Sequence, residues 1–576
     1  CVQDKLPKEC KEVCRDVTPL FLQDYHPELS FRLAWQLGKI YKAQYDTEKQ
    51  RDAETQGGKI QKEVNSNGQA RLQMAFEAKA KEQLQKTIGA YDSAVDYLQM
   101  MRRSISQPFG REVEKFAMEW IDLLIQSIKN ERDREKQKTF LKKLVSALEL
   151  FKKSELQNYF QDYCIGAQPD KDSDQVLSLL PDDVAVFYPI LLEDDSVELL
   201  LVSSNAVQLL TERMTEKLSV TELTKNANSF RQEMENIREQ IVPNNITKRV
   251  QQIGLDATLK EIKTAHQKSL EGVKNIGGVL YEWLIKPVTK VLNSQAKVST
   301  LVIVPDGILR TIPFAALYNK EKGIFFVQEQ YALAVVPGLT LTTLGETSMP
   351  RSNVQGLLNG LSESIPSPLS LPGLKAGEEL EAIAKVTLWG NKKPKKLENQ
   401  SFTISELESE LQNNSYSIVH LATHGQFKKD PLETFLVTYD FFKTRELLKM
   451  GKLQSLMRIP TSHDKPVELL TLSACESAMG DDRAALGMAG VAIDVGVKSA
   501  LGTLWLVNDK ATRQIMEGFY QNLGESKLSK AQALQKAQKN FLEKSPVVGE
   551  ENEVATAYDK RHPYYWGAFL LIGKWQ

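Results

Sequence analysis

Residues 467–480 read VELLTLSACESAMG, a short apolar run that ends in one cysteine, Cys475, and continues into small residues and a glycine. Upstream, residues 416–425 (YSIVHLATHG) repeat this design with His424 beside Gly425. Short apolar runs bounded by turn residues are typical of buried strands. Two strands that each end in one half of a Cys/His pair predict a thiol-based active site.

The region around these two runs alternates between helices and strands. Its predicted elements are, in chain order, a helix at 377–385, a strand at 386–389, a helix at 401–412, the His424 strand, a helix near 444–457, the Cys475 strand, a helix at 484–494 and a strand at 499–505. Such alternation predicts a mainly parallel sheet flanked by helices. Functional residues of parallel sheets gather where the strands end, and His424 and Cys475 both stand at such positions.

From residue 27 to about residue 164 the sequence predicts one helix after another. Apolar residues recur at helical spacing in three groups, which are Leu33, Leu37 and Tyr41, then Leu84, Ile88, Tyr91 and Val95, then Phe116, Trp120, Leu123 and Leu124. Residues 141–160 continue this rhythm, with apolar and basic residues in turn. No fixed repeat period can be assigned. We therefore expect an all-α, repeat-like region, a type of array that usually binds other proteins.

Two composition changes divide the rest of the chain. A polar linker at residues 169–174 precedes two apolar runs, 183–192 and 196–202, which predict a β-hairpin, and a buried strand at 299–307 follows. The loop at 346–374 is rich in Ser, Pro and Gly. We expect a helical region over 1–170, an α/β unit without an obvious catalytic set over 171–345, and a second α/β unit over 346–576.

The overall composition is that of a globular protein, with 42% hydrophobic and 26% charged residues among 576. The net charge of −1 favours neither a nucleic acid nor an anionic membrane as the main partner. No apolar run is long enough to span a bilayer.

Cysteine usage predicts a reducing compartment, because five cysteines are spread over a long chain. The cytoplasm is therefore the expected location. A mature lipoprotein also begins with cysteine, so Cys1 leaves an envelope location open. We expect no cofactor and no metal, since Cys10 and Cys14 lack further ligands nearby.

Each half of the Cys/His pair has a simpler interpretation. A free cysteine is often a small buried hydrophobe, and the functional role of Cys475 rests on its place at the end of a strand. A lone histidine is more often structural, but Gly425 after His424 would let a substrate backbone approach. His420 lies inside the apolar run and favours packing. The His-x-x-x-His spacing of His420 and His424 leaves zinc as a minor alternative.

The expected chemistry uses a thiolate nucleophile and a histidine that protonates the leaving amine. Cys475 and His424 would fill these roles. The tetrahedral oxyanion needs fixed donors, and the backbone N–H groups of Gly425 and Cys475 are the candidates.

Further motifs extend the pattern. In chain order, the set comprises residues 302–307 (VIVPDG) with 312–314 (IPF), 419–425 (VHLATHG), 472–476 (LSACE), 504–509 (LWLVND) and 562–569 (HPYYWGAF). Together they resemble the CHAT family, the caspase-like and separase-like cysteine peptidases that are often joined to tetratricopeptide repeats. One departure is Ser477-Ala478, where the family usually has Thr-Gly. This change in a loop leaves both His424 and Cys475 in place.

The resemblance implies that His424 and Cys475 form a catalytic dyad on a caspase-like sheet. It also implies that the α/β unit at 171–345 is an inactive caspase-like companion and that the helical region is similar to tetratricopeptide repeats. In related peptidases an acidic group in the first specificity pocket often selects Arg or Lys. Asp509 is the candidate for that role, with Trp505 on the preceding strand, and an N-cap for the helix after Asp509 is an equal alternative.

The sequence therefore predicts a cysteine endopeptidase that cuts a protein substrate after a basic residue. We expect a protein activator, bound to the helical region, to order the loop at residues 475–486. The rival hypothesis is a catalytically silent scaffold or adaptor that acts through its helical surface.

Overall fold

The computed structural model describes residues 27–56, 66–102, 110–160, 173–204, 206–210, 218–241, 243–294, 297–342, 354–462, 466–476, 485, 490, 496–525, 528–543 and 560–576. These residues belong to two compact units, Cys1–Gln126 and Ser127–Gln576. Cys1, Cys10, Cys14 and Cys164 lie outside the described residues. Within the described part, none of the helices combines the length and the apolar character needed to cross a membrane.

The first unit is helical, as predicted. Its helices are α1 (Pro27–Gln56), α2 (Ser66–Arg102) and α3 (Gly110–Asn130), of which α3 continues past the end of the unit. Tyr91 stacks on Phe116 and Trp120, with ring centroids 5.4 and 5.2 Å apart. The Tyr91 hydroxyl and the Trp35 indole both donate to Glu119 Oε2, at 3.0 and 2.7 Å. Ring stacking and the hydrogen bonds to Glu119 therefore together fix the arrangement of the aromatic core in this unit.

The buried face of α1 differs from the predicted one. Leu33 and Leu37 are 46% and 44% exposed, whereas Trp35 is buried. Gly38 lies on the buried side, and a Cβ at that position would lie 2.6 Å from the Tyr91 ring. Tyr91 packs against the α1 backbone because position 38 has no side chain, and this contact turns the two leucines outward.

The second unit contains a sheet with helices on its faces. Its helices are α4 (Arg134–Phe160), α5 (Ser173–Ser178), α6 (Val220–Ile241), α7 (Pro243–Ile253), α8 (Leu255–Leu280), α9 (Lys286–Leu292), α10 (Ala376–Ala384), α11 (Ile404–Asn413), α12 (Asp440–Thr444), α13 (Met450–Ser462), α14 (Asp509–Leu523) and α15 (Lys530–Glu543). Its strands are β1 (Val184–Leu191), β2 (Val197–Ser203), β3 (Ala206–Leu209), β4 (Thr300–Ile303), β5 (Tyr318–Asn319), β6 (Ile324–Phe325), β7 (Ala332–Val335), β8 (Gly356–Gly360), β9 (Lys395–Glu398), β10 (Ile418–Gln426), β11 (Phe435–Leu436), β12 (Leu448–Lys449), β13 (Leu469–Glu476), β14 (Ser499–Thr503) and β15 (Phe569–Gly573).

Thirteen of the described strands form one sheet, in the order β12-β11-β10-β13-β14-β15-β7-β4-β1-β2-β3, with β8 beside β10 and β9 beside β8. The predicted hairpin is the antiparallel pair β1–β2. The predicted fold class, helices followed by a mainly parallel sheet flanked by helices, is confirmed.

The sheet contains two sets of parallel strands that run in opposite directions. Strand β14 is antiparallel to β15, and β15 is parallel to β7. The strands β7, β4 and β1 therefore end at the sheet edge opposite to the one where β10, β13 and β14 end. This geometry separates the carboxyl ends of the two sets.

Two predicted elements need correction. Residues 386–389 are not a strand, because Thr387–Trp389 forms a 3₁₀ turn in which the Trp389 indole N–H donates to Ile383 O at 2.7 Å. The strand of that region is β9, further along the chain. The helix predicted near 444–457 is α13, which begins at Met450. Of the helix predicted at 484–494, only residues 485 and 490 lie within the described part.

Candidate active site

The strands that contain His424 and Cys475 are parallel neighbours in the sheet. Ala422 of β10 pairs with Ser473 of β13, and Gly425 pairs with Cys475. Between these pairs β10 has two residues, Thr423 and His424, where β13 has one, so the register shifts across them. Such a bulge changes the direction in which side chains point. The predicted dyad therefore stands on adjacent strands, with a bulge at the histidine.

For His424 the structure describes the side chain, whereas for Cys475 it describes only the main-chain position. The Cys475 side chain, residues 477–484 and residues 486–489 lie outside the described part. Most of the loop that the sequence assigns to gating, and Ser477-Ala478 within it, falls among these residues.

The His424 imidazole is buried and has a defined partner. Only 3% of the residue is exposed, and Nε2 lies 2.7 Å from the main-chain oxygen of Pro372. A carbonyl oxygen can only accept, so Nε2 carries the proton and donates it to this bond. In the neutral ring the lone pair is then on Nδ1. This tautomer leaves Nδ1 as the nitrogen that can accept a proton from a neighbouring acid.

The segment that contains Pro372 also contacts Asp509. The Lys375 N–H donates to Asp509 Oδ2 at 2.9 Å. Burial raises the pKa of Asp509 above its usual 3.8, and the Lys375 hydrogen bond and the nearby His424 partly oppose that rise. His424 and the half-buried Asp509 are thus connected through the short stretch from Pro372 to Lys375.

Asp509 is not the cap of α14. The N-cap is Asn508, whose side-chain oxygen accepts from the N–H groups of Lys510 and Ala511 at 3.1 and 3.4 Å. Asp509 is the first helical residue, and its carboxylate bonds outside the helix. The N-cap alternative for Asp509 is therefore wrong.

Glycine at position 425 has a packing reason. A Cβ there would overlap Leu436 Cδ2 and lie 2.9 Å from Phe435 O. Gly425 and Gln426 pair with these two residues of β11, and Val437 N donates to His424 O at 2.8 Å. The space expected for a substrate backbone is filled on this side by β11.

A second buried polar group lies on β10, four residues before His424. His420 is fully buried, as predicted, and its Nε2 is 3.0 Å from Glu379 Oε1 of α10. Its Nδ1 lies 3.1 Å from the Tyr520 hydroxyl, which is 2.8 Å from Thr471 Oγ1 of β13. This network joins α10 and α14 to both strands of the candidate dyad. The spacing of His420 and His424 gave no indication of it, because the partners come from distant helices.

No described group of three or more His, Cys, Asp or Glu side chains has an arrangement that would hold a metal ion. Trp505 is 2% exposed, and its indole N–H donates to Tyr564 O at 2.9 Å. In this conformation the indole belongs to the core rather than to an open pocket.

The closing motif contains a Ser/His contact that is structural. Ser269 Oγ lies 3.2 Å from His562 Nε2, but His562 Nδ1 accepts from Tyr564 N at 3.1 Å. Nε2 therefore carries the proton and cannot take one from serine. Ser269 instead donates to Glu233 Oε2 at 2.7 Å. These bonds tie α6 and α8 to the motif at residues 562–569.

Comparison with known proteins identified a family and distant structural likenesses. Two crystal structures of the Saccharomyces cerevisiae separase–securin complex, at 2.6 and 3.0 Å resolution, are similar at 10% and 11% identity, both with a TM-score of 0.42. The matches cover 98% of this chain and 48% of the solved chain, so this chain spans about half its length. Comparison with curated proteins gave no match. The family model of the CHAT domain matches residues 274–574, which is just over half of the sequence. This range contains both the His424 strand and the Cys475 strand. The chain therefore belongs to the CHAT domain family.

Proposed function

We propose that this chain is a cysteine endopeptidase in which Cys475 is the nucleophile and His424 the acid and base. The observation that carries the proposal is the buried His424 ring, which lies on the strand next to that of Cys475. Its Nε2 is held by the main-chain oxygen of Pro372. A histidine fixed in this tautomer has its proton-accepting nitrogen defined before any substrate arrives.

The proposed reaction has two stages. The Cys475 thiol transfers its proton to His424 Nδ1, and the thiolate attacks the peptide carbonyl carbon. The N–H groups of Gly425 and Cys475 would stabilise the oxyanion. His424 then protonates the leaving amine, and a thioester to Cys475 remains. Water, deprotonated by His424, hydrolyses this thioester and releases the acid.

The test is cleavage by the full chain of a panel of peptides with single basic sites, and of candidate protein partners. We expect wild type to cut and Cys475→Ala to be inactive. Cys475→Ala also serves as a trap that retains an uncut substrate in a pull-down. Equal cleavage by the two proteins would reject the proposal and favour the scaffold hypothesis.

We further propose that Asp509 selects Arg or Lys at the cleaved bond. Its half-buried carboxylate lies near His424 and uses Oδ2 for Lys375 N–H. Trp505 would support this pocket from the core, through its bond to Tyr564 O. A partly buried carboxylate is a suitable partner for a cationic side chain.

Asp509→Asn is expected to lower the preference for Arg over glutamine by roughly 10- to 100-fold in kcat/KM, because a charged hydrogen bond is lost. Asparagine keeps an acceptor for Lys375 N–H, so the fold should be retained. In wild type the preference should also weaken on acidification, beginning above the usual 3.8 of aspartate because the pKa of Asp509 is raised. Unchanged selectivity in Asp509→Asn would remove this role.

Control by a protein partner completes the proposal. Three leucines, Leu29, Leu33 and Leu37, recur every fourth residue along α1 and are 44–46% exposed. This row supports a protein-binding surface in the helical region.

We also propose that the protein is located in the cytoplasm and that its domains comprise residues 1–170, 171–345 and 346–576. The companion at 171–345 would be catalytically inactive.

A further inference from the structure

The last turn of α4 contacts the segment that follows the His424 strand. The Tyr159 hydroxyl donates to Lys428 O at 2.7 Å, although the two residues are 269 positions apart. Tyr159 is 8% exposed. A hydrogen bond in such a position is shielded from competing water and gains strength.

Lys428 belongs to a short hairpin that begins at His424. On one side Gly425 and Gln426 pair with Leu436 and Phe435 of β11. Across the turn, Lys428 N donates to Thr434 Oγ1 at 3.0 Å. Contacts within the hairpin thus define both its paired strands and its turn. Tyr159 adds a hydrogen bond from a different part of the chain. We name residues 424–437 the histidine hairpin.

Helix α4 is itself firmly fixed, so Tyr159 has a defined position. Glu149 is buried and accepts from the Tyr188 hydroxyl at 2.8 Å, from Leu339 N at 3.0 Å, and from Thr340 N and Oγ1 at 2.7 Å each. A buried carboxylate that accepts four hydrogen bonds holds its helix in one register.

A buried ion pair adds to this anchor. Lys152 Nζ lies 2.8 Å from Asp306 Oδ1 and donates to Pro305 O at 3.1 Å. Burial acts to raise the pKa of Asp306, but Lys152 and Arg310 outweigh it and hold that pKa below its usual 3.8. Asp306 therefore stays charged at neutral pH and keeps α4 attached beside β4.

The same turn of α4 also contacts the segment that follows the Cys475 strand. A Cβ built at Gly490 would lie 2.6 Å from Leu156 Cδ1 and from Phe160 Cε2. One helical turn thus touches the chain after both strands of the candidate dyad.

We propose that Tyr159 is a positioning residue for His424: its hydroxyl holds the Lys428 carbonyl and thereby fixes the histidine hairpin. This inference rests on the proposed peptidase function and adds a residue from the helical region to it. A shift of catalytic groups by about 1 Å can lower the rate of the chemical step up to about a hundredfold, and Tyr159 lies outside the proposed substrate contacts. Tyr159 should therefore act on kcat and not on KM.

The experiment compares Tyr159→Phe with Tyr416→Phe in the full chain. Tyr416 precedes the other end of β10 and donates to Glu410 Oε2, so each variant loses one tyrosine hydroxyl bond near the same strand. With a basic-site peptide, we expect kcat of Tyr159→Phe to fall roughly three- to tenfold, with KM within about twofold of wild type. Tyr416→Phe should retain the wild-type kcat. Hydrogen exchange at residues 425–436 should quicken in Tyr159→Phe only.

A wild-type kcat in Tyr159→Phe, or an equal fall of kcat in both variants, overturns the positioning role. Absence of Cys475-dependent cleavage in wild type rejects the proposed function instead. In that case hydrogen exchange alone decides whether Tyr159 holds the hairpin. Unchanged hydrogen exchange in Tyr159→Phe would show that the Tyr159 hydroxyl does not fix the histidine hairpin. Quicker exchange at residues 425–436 would show that it does.

Discussion

Exchange of His424 for alanine is expected to lower Cys475-dependent cleavage by at least about a thousandfold, since removal of a proton-transfer group from a nucleophile–base pair costs about two to six orders of magnitude. The other histidine of β10, His420, is fully buried against Glu379 and Tyr520 and does not offer a substitute. The measurement is kcat/KM on a peptide that wild type cuts, with Cys475→Ala as the background.

His424→Gln is the matched control for structure. Its amide N–H can still donate to Pro372 O, so the contact at 2.7 Å in wild type keeps a counterpart. Glutamine cannot exchange protons at neutral pH. Both variants should therefore be inactive, although only His424→Ala loosens the stretch from Pro372 to Lys375. Substantial activity in His424→Gln would show that the histidine only holds this segment.

Alkylation of Cys475 gives a second readout that needs no substrate. A neighbouring imidazolium stabilises a thiolate, so the wild-type thiol should react at lower pH than an ordinary cysteine. In both His424 variants the onset of rapid alkylation should move toward about pH 8.5, the range of a free thiol. An identical pH dependence in wild type and variants would contradict a Cys475–His424 pair.

The strands of the candidate site were predictable because each follows a local pattern. Residues 416–425 and 467–480 combine an apolar run with a reactive side chain at its end, and hydrophobicity alone places such runs in a sheet. Helix–strand alternation predicted that both lie in one parallel sheet, whereas their position as direct neighbours comes from the structure. The bulge at His424 was not predictable, since it depends on how β10 exchanges β8 for β11 as its partner near the end of the strand.

The partners of the site residues could not be predicted from the sequence, because they are distant and often belong to the main chain. Pro372 contributes only a carbonyl oxygen to His424, 52 positions away, and a carbonyl leaves no trace in residue type. Asp509 had two predicted roles, and the N-cap role falls to Asn508 instead, while Asp509 accepts from Lys375 N–H. The alternating pattern of residues 141–160 would leave Lys152 in solvent, but Asp306, 154 positions away, makes its burial possible.

A buried lysine at the start of α15 provides the largest expected effect on stability. Lys530 is 1% exposed, and its Nζ has no hydrogen-bond partner among the described residues. Burial lowers the pKa of Lys530 from 10.5 to about 7; Glu468 opposes the shift, and Lys574 and Lys498 increase it. Glu468 is already paired with Lys498 at 2.9 Å. Lys530 is therefore close to half neutral in the folded protein at pH 7.

The sign of the pH effect follows from proton binding. Between pH 7 and 10.5 the unfolded chain keeps a proton on Lys530 that the folded chain has lost. The contribution of Lys530 to the free energy of unfolding must then rise with pH across this window, by up to about 5 kcal/mol in total. Below pH 7 the full penalty is present, and above pH 10.5 it is gone.

Lys530→Met removes the ammonium group and keeps an unbranched side chain of similar length. We expect the variant to be more stable than wild type at pH 7, by a difference that shrinks by up to about 5 kcal/mol as the pH rises to 10.5. The measurement is urea unfolding of both proteins from pH 6 to 10.5, in which the other lysines cancel in the difference. Lys536→Met on the same helix is the control, because Lys536 is 43% exposed in its pair with Glu525 and should change stability by less than about 0.5 kcal/mol. Parallel pH curves for wild type and Lys530→Met would mean that Lys530 keeps its proton in the folded chain, and that its burial is compensated by Glu468.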